Sequence, residues 1–307
     1  MKILVIGGSG HVSGAVVRAA LTKGLQVWTI TRGTRPMING VKSLIADRHD
    51  HEAMKAVLLK EETVWDLVVD SICYDPADMI QDIELFRTRA KQFVFISTDF
   101  VYDPAFRNFP QPEETEHYAA GGTAGSLDYG HKKRLCELEL VKGDTGNMGW
   151  TVLRPCHIYG PTSQLGCLPM HGRDPELIKK LREGQPLKLV GGGYLLQQPL
   201  FVDDLADTIL SVIGNKNAIG KTLNIAGPDI IESRQYYQII ADILGVELTV
   251  EEIPVKKYLE ENPGSRPFIC HRIYDLARLR AAGLNLPSTP IRKGLRLHVE
   301  GLLKSST

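Results

Sequence analysis

The 307-residue chain lacks any sign of a covalent or metal staple. Its five cysteines, Cys73, Cys136, Cys156, Cys167 and Cys270, are odd in number, far apart and never arranged as C-x-x-C. That pattern excludes a disulfide framework and a cysteine zinc site, predicts no metal, and points to a reducing compartment. Net charge is missing too. Thirty-six basic and thirty-six acidic side chains cancel, so composition supplies no long-range attraction to nucleic acid or to an acidic membrane. No apolar run is long enough to span a bilayer. Met1 leads almost directly into an apolar strand without the basic region or cleavage site of a secretory leader. The expectation is a soluble, cytoplasmic protein with no membrane and no nucleic-acid partner. Internal repeats and low-complexity tails are also absent, which leaves a chain long enough to bury a large core unaided.

What is present is alternation. "KILVI", "LQVWTI", "SLIA", "DLVVD", "QFVFIS" and "WTVLRP" read as strands, and amphipathic segments separate most of them. Near-continuous apolar strands of this kind belong to a parallel sheet covered on both faces, so the predicted class is α/β with a Rossmann-type, doubly wound sheet. Residues 9–23 carry Val12, Ala15, Val16 and Ala19 at helical spacing, with Gly24 as a terminator. After about residue 155 the texture changes to "CHIYGPTSQLGCLPMHGRDP", which reads as loop over a site. Residues 1–155 are therefore expected to form a dinucleotide-binding domain whose sheet is completed by parts of 200–226. Residues 156–307 would form mainly a smaller, substrate-binding lobe.

In the opening loop, "GGSGHVSG", a tight turn needs one glycine and close approach to a pyrophosphate needs another, just before a helix whose free N–H groups favour an anion. Gly7, Gly8 and Gly10 supply both, and the backbone of Gly8, Ser9, Gly10, His11 and Val12 is expected to meet the phosphates. The packing position that usually holds a third glycine is Ser13, which is expected to face the sheet. At the end of the second strand the chain reads "TITRG". Thr31 and Arg32 stand where an acidic residue would hold the ribose of NAD, and a hydroxyl with a guanidinium suits a 2′-phosphate instead. NADP is the predicted cofactor, with NAD as the alternative.

Tyr129 and Lys133, in "SLDYGHKKRLCELEL", are i and i+4 and project from one helix face. An ammonium beside a phenol, which titrates near ~10 when unperturbed, moves it toward a useful acid/base range. Alone, such a pair is an ordinary surface feature. Its weight comes from "FVFISTDFVYDP", a buried strand ending in hydroxyl and carboxyl groups where open α/β sheets place ligands. Thr98 reads as the hydroxyl that meets a reacting oxygen beside Tyr129, and Ser97 as the one that caps the turn.

With Gly7, Gly10, Arg32, Thr98, Tyr129 and Lys133 in this order, the chain resembles the extended short-chain dehydrogenase/reductases, the nucleotide-sugar epimerase/dehydratase/reductase group. "IADRHD" is similar to the segment of that group in which an acidic residue, here Asp47, meets the adenine. "TVLRPCHIYGP" and "QQPLFVDDLADTIL" are similar to its R-P-x-x-x-Y-G-P and V-x-D-L-A segments. The resemblance implies a catalytic set of Thr98, Tyr129 and Lys133, with Tyr129 as acid/base, Lys133 tuning it and holding the nicotinamide ribose, and Thr98 orienting the substrate oxygen. It places Pro155 near the nicotinamide, and Asp99, Phe100 and Tyr159 in substrate binding. Arg154 is either a neighbour of the nicotinamide or a structural ion-pair partner, and His157 reads as a loop or core residue. The group's usual H-x-A-A after the fourth strand is here "DSICYD", which alters the wall beside the nicotinamide.

Dehydratases of the group follow the strand-end threonine with Asp and Glu. Phe100 cannot take a proton, which counts against dehydration. "STDFVYD" is similar to the run of dTDP-4-dehydrorhamnose reductases. Together with Arg32 it implies reduction of a keto group on a nucleotide-linked sugar with NADPH. An NAD-dependent epimerase is the alternative. A non-catalytic dinucleotide- or RNA-binding protein, of the kind represented by chloroplast stem-loop binders with similar "TRG" and "DR" segments, is the reading from another class. The resemblance also implies a possible homodimer.

Overall fold

The computed structural model describes residues 1–36, 38–121 and 126–305. Six strands, β1 (Lys2–Ile6), β2 (Gln26–Thr31), β3 (Val41–Ile45), β4 (Leu67–Asp70), β5 (Gln92–Ile96) and β6 (Gly149–Pro155), join a seventh, Lys221–Ile225, in one sheet. Its order is seventh strand, β6, β5, β4, β1, β2, β3, and every pairing is parallel. This is the Rossmann-type α/β fold expected from the alternation. β4 and β5 are buried along their whole length and β1 everywhere but Lys2, as strands covered on both faces must be.

Helices α1 (His11–Thr22), α2 (His51–Leu59), α3 (Pro76–Phe86), α4 (Ser126–Lys142), α5 (Leu177–Arg182) and α6 (Val202–Leu210) follow in chain order. α1 and α6 cover one face, burying Ala15, Val16, Leu205 and Ile209 against Val5, Val69 and Val94. α2, α3 and α4 cover the other, burying Met54, Phe86 and Leu140 against Leu4, Val68 and Phe93. α1 is followed, after its C-cap Lys23, by Gly24, whose φ of 70° is a left-handed conformation that glycine adopts without strain.

A third apolar cluster lies apart from the sheet. It gathers Leu177 and Leu181 of α5, Leu187 and Leu189, Tyr236 and Ile240, and Leu295 and Val299 of the helix Ile291–Ser305. The chain does not stay there, because Tyr274, Leu279 and Leu284 return to the core on the α1/α6 face. Among the described residues no helix is long and apolar enough to cross a membrane. The sheet order reverses between β1 and β4, and a crevice opens there at the carboxyl ends of the strands.

Candidate functional site

Two neighbouring cavities fill that crevice. The first, about 340 Å³, is lined by Gly7, Ser9, Gly10, Ser13, Thr31, Arg32, Arg35, Asp47 and Tyr74 among others. Gly7 and Gly8 have φ of +104° and +127°, and a Cβ on Gly8 would stand 2.7 Å from Thr29 Cγ2. Gly10 is the N-cap of α1 and brings no side chain to it, and the first turn has no acidic residue. The positive end of α1 is thus not neutralised by the protein's own side chains, which fits a bound diphosphate. Ser13 is buried and packs beside Gly7 at the end of β1. Its hydroxyl turns back into the loop and accepts the Gly10 N–H at 3.1 Å, since the space beside Gly7 and Gly10 is what a missing Cβ leaves open.

At the end of β2, Thr31 Oγ1 accepts the Gly33 N–H at 3.1 Å, and Arg32 and Arg35 line the cavity. Arg35 was not singled out by the sequence, because an arginine in a turn has no distinguishing pattern. Asp47 is exposed at the same cavity and accepts the His49 N–H at 3.0 Å. Its neighbour Arg48 is buried, pairing with Asp70 and with Asp82 at 2.8 Å and donating to the Asp78 carbonyl at 3.1 Å. Asp70, Cys73 and Asp82 have ligand atoms close enough to hold a cation, but the Arg48 guanidinium already supplies the positive charge there.

The second cavity, about 400 Å³, is lined by Val12, Tyr74, Thr98, Asp99, Phe100, Tyr129, Lys133, Pro155, His157 and Arg173 among others. It brings the expected catalytic trio together. Lys133 is 1% exposed and donates to the carbonyls of Cys73 at 2.8 Å and Ile96 at 2.6 Å. Thr98, not Ser97, caps the strand-end turn, with Oγ1 accepting the Phe100 N–H at 3.2 Å. Ser97 instead donates to Glu137 at 2.6 Å, so the capping expected of Ser97 falls to Thr98. Thr98 keeps its own proton to donate.

Gly130 explains how α4 comes so close, because a Cβ there would stand 2.0 Å from the Phe100 carbonyl oxygen. The Tyr129 ring packs against Phe100 and Tyr74, each with centroids 6.3 Å away. Burial pushes the Tyr129 hydroxyl up to about 12, Tyr74 adds to this, and a hydrogen bond with Thr98 pulls the other way. In this state the phenol is protonated at neutral pH, where the sequence had suggested a phenolate favoured by Lys133.

Two substrate-binding expectations change. Asp99 lines the cavity, but its carboxylate is buried in ion pairs with Arg272 and Arg107 and accepts the Tyr274 hydroxyl. Burial alone would raise this carboxyl, and the two arginines outweigh it and hold it low. Tyr159 is 1% exposed and packs in the third cluster, with Phe201 at 5.6 Å and Tyr236 at 6.2 Å. It is not a wall of the cavity, because its two-residue strand pairs with Leu200–Phe201 and turns the ring inward. Arg154 resolves as a structural partner, buried and bonded to Glu137 at 2.8 and 2.6 Å and to the Tyr102 hydroxyl at 2.9 Å. Arg272, Tyr274 and Arg107 were invisible to sequence reasoning, since no local spacing links them to Asp99.

His11 Nδ1 lies 3.1 Å from Thr162 Oγ1, tying the glycine loop to the segment after β6. Burial pushes His11 down to about 4, with His298 and Arg173 contributing, and burial pushes His157 down to about 4 with Arg173 contributing. An unfolded chain would protonate both near their ordinary value of 6.5, so the folded state resists protonation that the unfolded state accepts. Stability is therefore full above 6.5 and falls as pH drops toward 4. We expect the urea midpoint to decrease from about pH 7 to about pH 5, and His157→Gln to flatten that decline. An unchanged slope in the variant would contradict the assignment.

Residues 3–226 match the model of a family described as "NAD dependent epimerase/dehydratase family". A chloroplast stem-loop binding protein of 41 kDa b from Arabidopsis thaliana is 27% identical over 241 residues, 74% of this chain, and the match spans only 58% of that relative. 2′-Dehydrokanamycin reductase from Streptomyces kanamyceticus is 24% identical over 272 residues, covering 85% of this chain and 72% of that one. Among solved structures, the Thermotoga maritima UDP-glucose 4-epimerase with UDP-glucose superposes with a TM-score of 0.79 at 20% identity, covering 100% of both chains.

Proposed function

The chain belongs to the NAD dependent epimerase/dehydratase family and is an NAD(P)-dependent enzyme of that kind, and from this premise we propose that it reduces a keto group on a nucleotide-linked sugar with NADPH. The observation that carries the NADPH preference is the pair Arg32 and Arg35 lining the cavity at the end of β2, where Thr31 stands in place of a carboxylate. Reduction is favoured by the S-T-D-F-V-Y-D run at the end of β5, with the hydroxyls of Thr98 and Tyr129 lining one cavity as donors to a carbonyl oxygen.

In this reading the backbone around Gly8, Ser9, Gly10, His11 and Val12 binds the diphosphate, Asp47 meets the adenine, and Arg32 with Arg35 holds the 2′-phosphate. The bound cofactor supplies the hydride. Thr98 orients the carbonyl oxygen of the substrate, and Tyr129 gives that oxygen a proton as its negative charge develops. Lys133, fixed by the Cys73 and Ile96 carbonyls and lining the same cavity as Tyr129, would hold the nicotinamide ribose and stabilise the phenolate left by proton transfer. Pro155 closes the wall beside the nicotinamide, Phe100 offers an apolar face, and the lobe around the third cluster carries the sugar nucleotide.

The test is a fluorescence titration with both reduced cofactors. NADPH should bind at least about tenfold more tightly than NADH, and Arg32→Ala should remove most of that difference. Equal or reversed preference would sink the 2′-phosphate argument. NAD retained through purification would support an NAD-dependent epimerase built on the same three residues.

A further inference from the structure

Of the charged side chains lining the Thr98/Tyr129 cavity, two are already matched. Asp99 is paired with Arg272 and Arg107, and Lys133 is held by backbone carbonyls. The third is Arg173, which is exposed and, among the described residues, has no hydrogen bond or ion pair. The carboxylate beside it in sequence does not quench it. Asp174 is taken by Lys180 at 2.7 Å, by His171 at 3.2 Å and by the Glu176 N–H at 2.9 Å. The cavity therefore carries an uncompensated guanidinium.

The loop that presents this arginine is anchored on several sides. Tyr237 accepts the Cys167 N–H at 3.0 Å and its hydroxyl lies 2.8 Å from the Met170 carbonyl. His171 Nε2 lies 3.0 Å from the Lys188 carbonyl, and Thr162 Oγ1 reaches His11. Thr162 and His171 hold positive φ values of 79° and 54°, conformations that side chains other than glycine adopt only when surroundings impose them. The backbone that carries Arg173 is thus anchored on both sides, while its side chain stays open to a ligand. Its charge is felt by Tyr74, Tyr129 and His157, which line the cavity, and by His11 of the glycine loop.

We propose that Arg173 is a specificity-determining residue that receives an oxyanion, a carboxylate or phosphate, carried by the substrate whose carbonyl lies at Tyr129. The planar guanidinium fork matches either group with two parallel hydrogen bonds. The substrate is favoured over the cofactor as the source, because Arg173 lines the cavity of Thr98, Tyr129 and His157 and not the one formed by Gly7, Thr31 and Arg32. The proposal rests on the preceding reading in taking the Tyr129 cavity as the reaction site.

The experiment uses full-length protein saturated with whichever of NADPH or NADH binds it more tightly. Pyrophosphate and malonate are titrated calorimetrically into wild type, Arg173→Gln and Arg173→Lys. At least one anion should bind wild type, lose about tenfold in affinity in the glutamine variant and keep most of it in the lysine variant, with cofactor affinity within about twofold throughout. Failure of both anions to bind wild type, or equal binding to the glutamine variant, overturns the proposal. An equal loss of cofactor affinity also overturns it, by giving the arginine to the cofactor phosphates. Neither anion contains a sugar or base, so the nucleotide-sugar reading is tested apart from it, by titrating UDP-glucose into the same loaded protein.

Discussion

Tyr129→Phe should lower kcat by about 10²–10⁴-fold, the range over which a positioned general acid acts, and leave the cofactor dissociation constant within about twofold. The substitution removes one hydroxyl and keeps the ring that packs between Phe100 and Tyr74. The fold and the cavity walls are otherwise untouched, so a large loss would report the chemistry itself. Thr98 and Lys133 stay in place, and residual turnover would measure what orientation achieves without the acid. Stopped-flow reduction at saturating NADPH separates this from a slowed product release. Activity equal to wild type would remove Tyr129 from the reaction, and salt-sensitive RNA association surviving in that variant would favour a binding role.

The second large effect concerns stability. Glu137 is buried one turn beyond Lys133, accepting from Arg154 at 2.8 and 2.6 Å, from Ser97 at 2.6 Å and from Arg134 at 2.8 Å. Glu137→Ala leaves Arg154 buried with no counter-charge, which costs about 3–5 kcal/mol in comparable cases. Urea unfolding reads the loss directly. Replacing both partners, as Glu137→Leu with Arg154→Met, should lose less than the single change, because no stranded charge remains. A single-variant loss below about 1 kcal/mol would show that the pair contributes little. The pH response has a definite sign. Burial alone would raise the Glu137 carboxyl, Arg154 outweighs it and holds it low, so this contribution is present above the ordinary value of 4.5 and is lost as pH falls through the lowered one.

How far the sequence could be read depended on the distance between partners. β1, β4 and β5 were legible because strands covered on both faces show themselves as unbroken apolar runs. Tyr129 and Lys133 were legible because one helix face joins them, and Thr98 because a strand end is a known place for ligands. Asp99 misled because its partner Arg272 stands 173 residues away, with no periodicity to connect the two. Tyr159 misled because a two-residue pairing with Leu200–Phe201, absent from any local pattern, decides which way its ring turns. The transfer of the cap from Ser97 to Thr98 goes with the bond of Ser97 to Glu137, a residue of a different element whose contact with the strand end only the packing reveals. Arg173 was passed over within a loop recognised only by its glycines and prolines.

The contact at Gly130 separates two kinds of change that this protein can undergo. There α4 meets the turn after β5 backbone to backbone, with no room for a single methyl group, so the spacing between tyrosine and threonine has no play. The segment carrying Arg173 is mounted elsewhere, on contacts with the Tyr237 hydroxyl, the Lys188 carbonyl and His11. Substitutions of Arg173 would change what is recognised and also the field at Tyr129, whereas any enlargement at residue 130 would disturb the approach of tyrosine and threonine for every substrate alike.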